Sequence, residues 1–100
     1  MKLQMHSIRF DADRKLTGFI QKKVDKLETF YDRIIDGEVF LRLDKDQNNR
    51  ENKIIEIKLN LPKYQLFAKE RAKSFEVATD AAVESLRRQL KKRKDKVMER

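Results

Sequence analysis

The stretch IEIKLNLPKYQLFA, from Ile55 to Ala68, alternates apolar and polar side chains on both sides of Pro62. An apolar repeat of two residues is the pattern of a β-strand that buries one face. Pro62 and the lysine after it interrupt the repeat and mark a tight turn. We therefore predict two strands joined by this turn, with one apolar face and one wet face, as is common in antiparallel sheets.

The same repeat of two occurs twice earlier in the chain and predicts two more strands. Its apolar residues are Leu3 and Met5, then Val39, Leu41 and Leu43. The polar faces of the four predicted strands carry Gln4, His6, Arg42, Glu56, Lys58, Gln65 and Lys69. Phe40 and Phe67 fall on this wet face as well. We expect them either to shield each other or the backbone, or to be platforms on which bases stack.

Two other segments follow the helical repeat of 3.6 residues. In the first, from Arg14 to about Phe30, the apolar residues fall within an arc of about 140°; they are Leu16, Phe19, Ile20, Val24, Leu27 and Phe30. Asp13 is suited to cap this helix, because its carboxylate can accept unpaired backbone N–H groups. The second helix is predicted to begin after Ser74, another capping residue, with an apolar seam of Phe75, Ala78, Ala82, Leu86 and Leu90.

The predicted elements follow one another in the order β-α-β-β-β-α. Because both helices are amphipathic and the strands bury one face, the compact arrangement is an α+β fold, with two helices packed on one face of a four-stranded sheet. A chain of 100 residues has room for one such core. We therefore predict a single domain over residues 1–100.

The composition argues against catalysis and against a membrane partner. The chain has no Cys and a single His, His6, so disulfides, thiolate chemistry and the usual zinc sites are excluded. Asp44, Asp46 and Asn48 imitate the start of a calcium loop, but Asn49 stands where that loop requires Gly. No apolar run approaches the roughly 20 residues of a membrane span. We expect a cytoplasmic protein that is not an enzyme and has no metal, cofactor or small-molecule substrate.

Positive charge is concentrated toward one end of the chain. The formal net charge is +8, and the stretch RRQLKKRKDKVMER, from Arg87 to Arg100, holds eight basic and two acidic residues. Arg93 falls on the helix face that is apolar as far as Leu90, so this end cannot pack flat on a sheet. We expect it to project past the core, either as a solvated tail or into a polyanion such as RNA, whose phosphates would account for the concentration of charge.

The first predicted helix is also polarised across its axis. On one flank of the apolar stripe, basic residues lie within an arc of about 40°; they are Lys15, Lys22, Lys26 and, if the helix extends that far, Arg33. The opposite flank carries Asp25 and Glu28. Clustering of basic residues on one face is typical of nucleic-acid binders.

Two segments carry a resemblance to a known family: KLETFYDRI, from Lys26 to Ile34, and FEVATDAAVESLRRQLKKRKDK, from Phe75 to Lys96. Together with the element order, they resemble the ribosome hibernation promoting factor family, which includes the ribosome-associated translation inhibitors. The resemblance implies a stress or stationary-phase protein that binds the small ribosomal subunit and its rRNA, within the intact ribosome, in the channel between head and body. There it would block mRNA and tRNA and inhibit translation. We expect a short form without an appended dimerisation domain, monomeric when free.

The candidate rRNA-binding residues have two origins. The resemblance implies Lys23, Lys26, Arg33, Arg88, Lys92, Lys94 and Lys96, and charge geometry alone adds Lys22, Arg87, Lys91 and Arg93. Lys23 lies at the margin of the apolar stripe, so we expect it to extend outward between the helices. A general double-stranded RNA-binding module remains an alternative, because basic helix edges beside a sheet occur in that class too. A protein whose basic end docks an acidic partner is a third hypothesis.

Overall fold

The structure, a computed structural model, describes residues 1–44 and 50–98, with side chains described as far as Arg93. It contains the predicted order of elements. They are β1 (Lys2–Ile8), α1 (Arg14–Asp25), a 3-10 turn (Lys26–Thr29), β2 (Asp36–Leu43), β3 (Lys53–Leu61), β4 (Tyr64–Ala72) and α2 (Phe75–Met98). Asp46, Asn48 and Asn49 of the calcium-like segment lie outside the described residues.

The four strands form one mixed sheet in the order β1-β2-β3-β4. β1 pairs with β2 in parallel, and the other two pairs are antiparallel. The first pair is parallel because α1 lies between its strands in the chain and carries the backbone from one end of the sheet to the other. The sheet is therefore not antiparallel throughout.

The predicted apolar faces of the strands lie on one side of this sheet. One row of paired residues crosses all four strands: Met5 opposite Val39, Val39 opposite Ile57, and Ile57 opposite Ala68. Three of these four are buried, and Met5 packs against the core as a partly buried side chain. Leu43, predicted on the same face, is 42% exposed because it ends β2 beyond the helices that cover the sheet's centre.

Both helices pack on the apolar face of the sheet, as predicted. The predicted seam of α2 is buried from Phe75 to Leu90. Ala78 and Ala82 in this seam are small, which allows the helix backbone to approach the sheet closely. Thr79 is also fully buried, and its hydroxyl is satisfied because it donates to the carbonyl of Phe75 at 2.6 Å.

Both predicted helix caps are confirmed. The backbone N–H of Leu16 donates to the carboxylate of Asp13 at 2.8 Å, and that of Val77 donates to the hydroxyl of Ser74 at 3.1 Å. Each cap satisfies one of the backbone donors that a helix start leaves without an intrahelical partner. The chain therefore enters both helices at the residues that the sequence indicates.

The first helix ends earlier than the sequence predicts. The α-helix stops at Asp25 and continues as a 3-10 turn to Thr29. Because a 3-10 turn has 3.0 residues per turn rather than 3.6, the apolar stripe rotates out of phase after Leu27. Phe30, predicted to be a core residue, is consequently 48% exposed. Arg33 lies in the connection to β2, so it does not share a helix flank with Lys22.

The outer face of the sheet is exposed to solvent, and its side chains contact one another across the strands. His6 shares a hydrogen bond with Glu38 at 3.1 Å and stacks on Phe40, with ring centroids 4.8 Å apart. The ammonium of Lys58 lies 5.5 Å from the centroid of the same Phe40 ring. Phe67 pairs with Lys58 across the strands rather than with Phe40. His6 is thus a polar residue of the sheet face, and Phe40 is shielded by His6.

The two glycines of the chain offer a matched test of packing. A Cβ added at Gly37 would lie 2.7 Å from the carbonyl oxygen of Lys58 and 2.8 Å from methyl groups of Leu3 and Leu59. At Gly18, on an exposed part of α1, a Cβ would meet nothing within 4 Å. The sheet around β2 therefore depends on a missing side chain, and α1 does not.

We predict that Gly37→Ala lowers the free energy of unfolding by about 1–3 kcal/mol, because overpacking forces neighbouring backbone and side chains to shift. Gly18→Ala should raise it by about 0.5–1 kcal/mol, because alanine restricts the unfolded chain and favours the helix. Urea unfolding followed by circular dichroism measures both. Equal effects of the two substitutions would contradict the close approach at Gly37.

Candidate nucleic-acid interface

The topology brings the C-terminal ends of both helices to the same end of the molecule. β1, β2 and β4 point in one direction, since β3 is antiparallel to its two neighbours. α1 returns along β1, so that Gln21 donates to the carbonyl of Met1 at 3.0 Å. α2 returns along β4, so that Gln89 donates to the carbonyl of Phe67 at 3.0 Å. The two helices are therefore parallel.

Six of the predicted basic residues meet at this end, and we call them the basic end: Lys22, Lys26, Arg33, Arg88, Lys91 and Lys92. All six side chains are exposed. Within the described part of the chain, none of the six forms an ion pair. Lys22 lies in the last turn of α1 and Lys26 is its C-cap, so the helix dipole favours these two cations and partly offsets their repulsion.

Lys23, another predicted contact, is engaged within the protein. Its ammonium lies 3.3 Å from the carboxylate of Asp80 on α2 and 5.5 Å from the ring centroid of Phe19. The side chain therefore lies between the helices and ties them together. This position between the helices is the predicted one, and the ion pair with Asp80 was not predicted because only the tertiary fold brings Asp80 close.

Arg87 is also engaged within the protein. Its Nε donates to Glu84 at 3.0 Å, and a terminal nitrogen donates to the other carboxylate oxygen at 2.6 Å. This contact lowers the pKa of Glu84 and raises that of Arg87. Two of the nitrogen atoms that could bind a phosphate are thus already satisfied, while the two faces of the guanidinium plane are left for other contacts.

Arg93 packs on the sheet, which the sequence analysis did not predict. Its guanidinium carbon lies 3.6 Å from the ring centroid of Tyr64, the first residue of β4. Burial raises the pKa of Tyr64 above its ordinary value. The seam of α2 therefore continues past Leu90 for one more contact, because a planar cation can stack on an aromatic ring.

Only the part of α2 after Arg93 extends beyond the sheet. The helix continues to Met98, which is about 7 Å of further length at 1.5 Å per residue. The side chains of Lys94 and Lys96 lie outside the described residues. Their predicted contacts therefore remain predictions.

A pocket that the sequence did not indicate adjoins the basic end. Its volume is about 300 Å³, and it lies between the 3-10 turn and α2, lined by Phe30, Arg87, Leu90 and Lys91. The sequence predicts that Phe30 lies in the core and that Arg87 binds an rRNA phosphate. The rotation of the 3-10 turn, which cannot be read from the 3.6-residue repeat, is what brings the ring out to face α2.

The opposite end of the molecule carries charges of both signs. Phe10 and Phe75 stack there with centroids 5.2 Å apart, and the surrounding surface includes Asp11, Asp13 and Glu76 as well as basic residues. Among the described residues, no three acidic or His side chains are grouped as metal ligands. No helix in the described ranges has an apolar stretch long enough to cross a bilayer. The exposed and unpaired positive charge is therefore the feature that distinguishes the basic end.

The fold is similar to two solved structures. A ribosomal subunit interface protein from Coxiella burnetii superposes with a TM-score of 0.83 at 22% identity, over 95% of this chain and 99% of that one. The N-terminal domain of Protein Y from Thermus thermophilus gives a TM-score of 0.79 at 22% identity, over 92% and 98% of the two chains. At these identities the likeness establishes the fold.

Sequence relatives cover nearly the whole chain. A ribosome hibernation promotion factor from Deinococcus radiodurans is 27% identical over 95 residues, which are 95% of this chain and 50% of that protein. The chain thus spans half the length of this relative. A ribosome hibernation promoting factor from Pseudomonas putida is 25% identical over 96 residues, or 96% of this chain and 89% of that protein.

A family model agrees with the element order and with these relatives. It is the model described as Sigma 54 modulation protein / S30EA ribosomal protein, and it matches residues 3–98, which include nearly all of every helix and strand. The match covers both segments on which the sequence resemblance depends. The chain therefore belongs to the Sigma 54 modulation protein / S30EA ribosomal protein family.

Proposed function

We propose that this protein is a ribosome hibernation factor. It binds the small ribosomal subunit through rRNA in the decoding channel, blocks access of mRNA and tRNA, and inhibits translation under stress or in stationary phase. The observation that carries the proposal is the meeting of six exposed cations, free of ion pairs to the described residues, at one end of the molecule. Membership of a family with relatives named hibernation factors supports it.

The chemistry of the basic end fits an rRNA surface. Each phosphate that a Lys or Arg neutralises releases condensed counterions, and six to ten such contacts dominate the affinity of a nucleic-acid complex. The basic end supplies six candidates, and the end of α2 adds Lys94 and Lys96 as predicted contacts. The function requires neither a cofactor nor a small-molecule substrate, and the protein would act in the cytoplasm as a monomer before it meets the ribosome.

The concentration of charge at one end favours a ribosomal site over free duplex RNA. A double-stranded RNA-binding module contacts about 16 base pairs along two successive minor grooves, which requires basic residues spread along one face. Here the outer face of the sheet pairs its charges internally, as in the contact of Arg42 with Glu56 at 3.1 Å. The cations of the basic end instead suit a compact, folded RNA surface.

The first prediction from this proposal tests the contacts made by α2. Replacing Arg88, Lys91 and Lys92 by Ala should weaken binding to vacant ribosomes by about tenfold or more, because three phosphate contacts are lost. The fold should remain intact, since exposed substitutions of this kind usually change stability by about 0.5 kcal/mol or less. Cosedimentation through a sucrose gradient at moderate salt measures the binding, and circular dichroism checks the fold.

The matched control removes three exposed positive charges from the opposite end, as Arg14→Ala, Arg50→Ala and Lys73→Ala. Both triple variants lower the net charge equally, so they separate a local contact from a general effect of charge. If the two variants lost affinity to the same extent, the helix-end site would be wrong. Binding to naked duplex RNA in preference to ribosomes would favour the double-stranded RNA-binding alternative.

The second prediction uses salt to count contacts. For RNA that is not a regular duplex, the logarithm of affinity falls by about 0.7 per phosphate contact for each tenfold rise in salt, so about six contacts give a slope near −4. Deleting residues 94–100 should weaken binding and flatten this slope. A truncated protein whose slope equals that of the parent would show that the terminal charges are solvated and do not touch rRNA.

A further inference from the structure

The pocket between the 3-10 turn and α2 combines an exposed aromatic ring with an apolar floor and a charged rim. The ring of Phe30 is 48% exposed and forms one wall. Leu90, almost fully buried, forms the floor. Arg87 and Lys91 complete the lining from successive turns of α2. An open aromatic face beside cations is the combination with which proteins hold unpaired bases of single strands.

The spacing of the two planar walls distinguishes this pocket from an ordinary cation–ring contact. The guanidinium carbon of Arg87 lies 6.0 Å from the centroid of Phe30, whereas that of Arg93 lies 3.6 Å from Tyr64. The second contact is a closed stack. Carbon atoms in contact are about 3.5–4 Å apart, so a flat ring between two walls needs roughly 7 Å. If Arg87 and Phe30 moved apart by about 1 Å, a flat ring would therefore fit between them.

The Arg87 wall is held in place by the protein itself. Its two hydrogen bonds to Glu84 occupy the edge of the guanidinium plane and leave its faces uncommitted. Guanidinium planes stack readily on flat π-systems, and RNA-binding proteins use them in this way. Arg87 is therefore better suited to cover a base than to bind a phosphate with the edge that Glu84 already occupies.

The surrounding charge suits a nucleotide rather than an uncharged ring. Lys91 is exposed at the rim of the pocket, and Arg88 and Lys92 are exposed on the same helix beside it. A base that enters the pocket carries its phosphate to this rim, where a lysine can neutralise it. An apolar peptide side chain would fill the pocket but would leave these cations without a partner.

We propose that this pocket holds one unstacked nucleobase of single-stranded RNA, inserted between the ring of Phe30 and the guanidinium of Arg87, with Lys91 at its phosphate. The inference rests on the proposed function, because it specifies one nucleotide contact within the rRNA surface that the basic end binds. Bases of a regular duplex cannot enter, because they are stacked and paired. The nucleotide must come from a loop, a bulge or a single strand.

The absence of tryptophan from the chain permits a direct optical test. The variant Phe30→Trp places a single fluorescent reporter in the pocket and keeps an aromatic wall. The variant Val77→Trp is the control, because Val77 is 57% exposed but lies in the first turn of α2, ten residues before Arg87 and about 15 Å along the helix axis.

Stacking with a base quenches tryptophan fluorescence. Vacant ribosomes and a single-stranded RNA oligonucleotide should each quench the Phe30→Trp variant by about half or more, because the base lies directly on the reporter. The Val77→Trp variant should change little with either. An RNA duplex should quench neither variant.

Affinity gives the second measurement. Phe30→Ala should weaken binding to ribosomes about tenfold, within the range that one base–aromatic stack contributes, while Val77→Ala should bind like the parent. Circular dichroism confirms that each variant is folded. If Phe30→Ala cosedimented as well as the parent and Phe30→Trp stayed unquenched, the pocket would be overturned and the ribosomal function would stand.

The two proposals fail in different ways. If the parent protein did not cosediment with ribosomes at all, the proposed function would be wrong. In that case quenching of the Phe30→Trp variant by the single-stranded oligonucleotide would still support the pocket as a base-binding site, and its absence would overturn it. Equal quenching by duplex and single strand would also overturn the pocket, because a paired base cannot lie between Phe30 and Arg87.

Discussion

The parallel pairing of β1 with β2 is the constraint on which the rest of the structure depends. Parallel neighbours cannot be joined by a hairpin, so the chain must return along the sheet between them, and α1 makes this return over the apolar face. β4 points in the same direction as β1, so α2 returns the same way. Two separate stretches of basic sequence are thereby brought to one end of the molecule without any direct contact between them being required.

Most of the fold could be predicted because its signals are local. The alternation around Pro62 and the carboxylate of Asp13 act within a few residues, and both predict what the structure contains. The end of α1 is different. The change to a 3-10 turn at Lys26 alters the helical phase, and no nearby proline or glycine marks it. The helical repeat therefore predicts Phe30 on a helix that ends before it, and the condition under which Arg33 would share that helix is not met.

The candidate site could be predicted as a set of residues but not as a set of contacts. Sequence indicates where cations are dense, and it can detect a pair on one helix, such as Glu84 with Arg87 three residues later. It cannot show that Lys23 meets Asp80 on another helix, or that Arg93 meets Tyr64 on a strand. Those contacts exist only after the sheet has formed. They decide which cations remain available to a partner and which are used by the fold.

The crowding of like charges at the basic end has a consequence for the free protein. Exposed cations gathered at one end of a molecule repel one another at low ionic strength, and this repulsion acts against the compact state. Added salt screens it, so rising ionic strength stabilises the free fold while it weakens attachment to a polyanion. If the protein binds rRNA as proposed, its folding stability and its RNA affinity respond to salt with opposite signs. A bound RNA would relieve the repulsion among these cations, and the same repulsion lowers the stability of the free protein in dilute buffer.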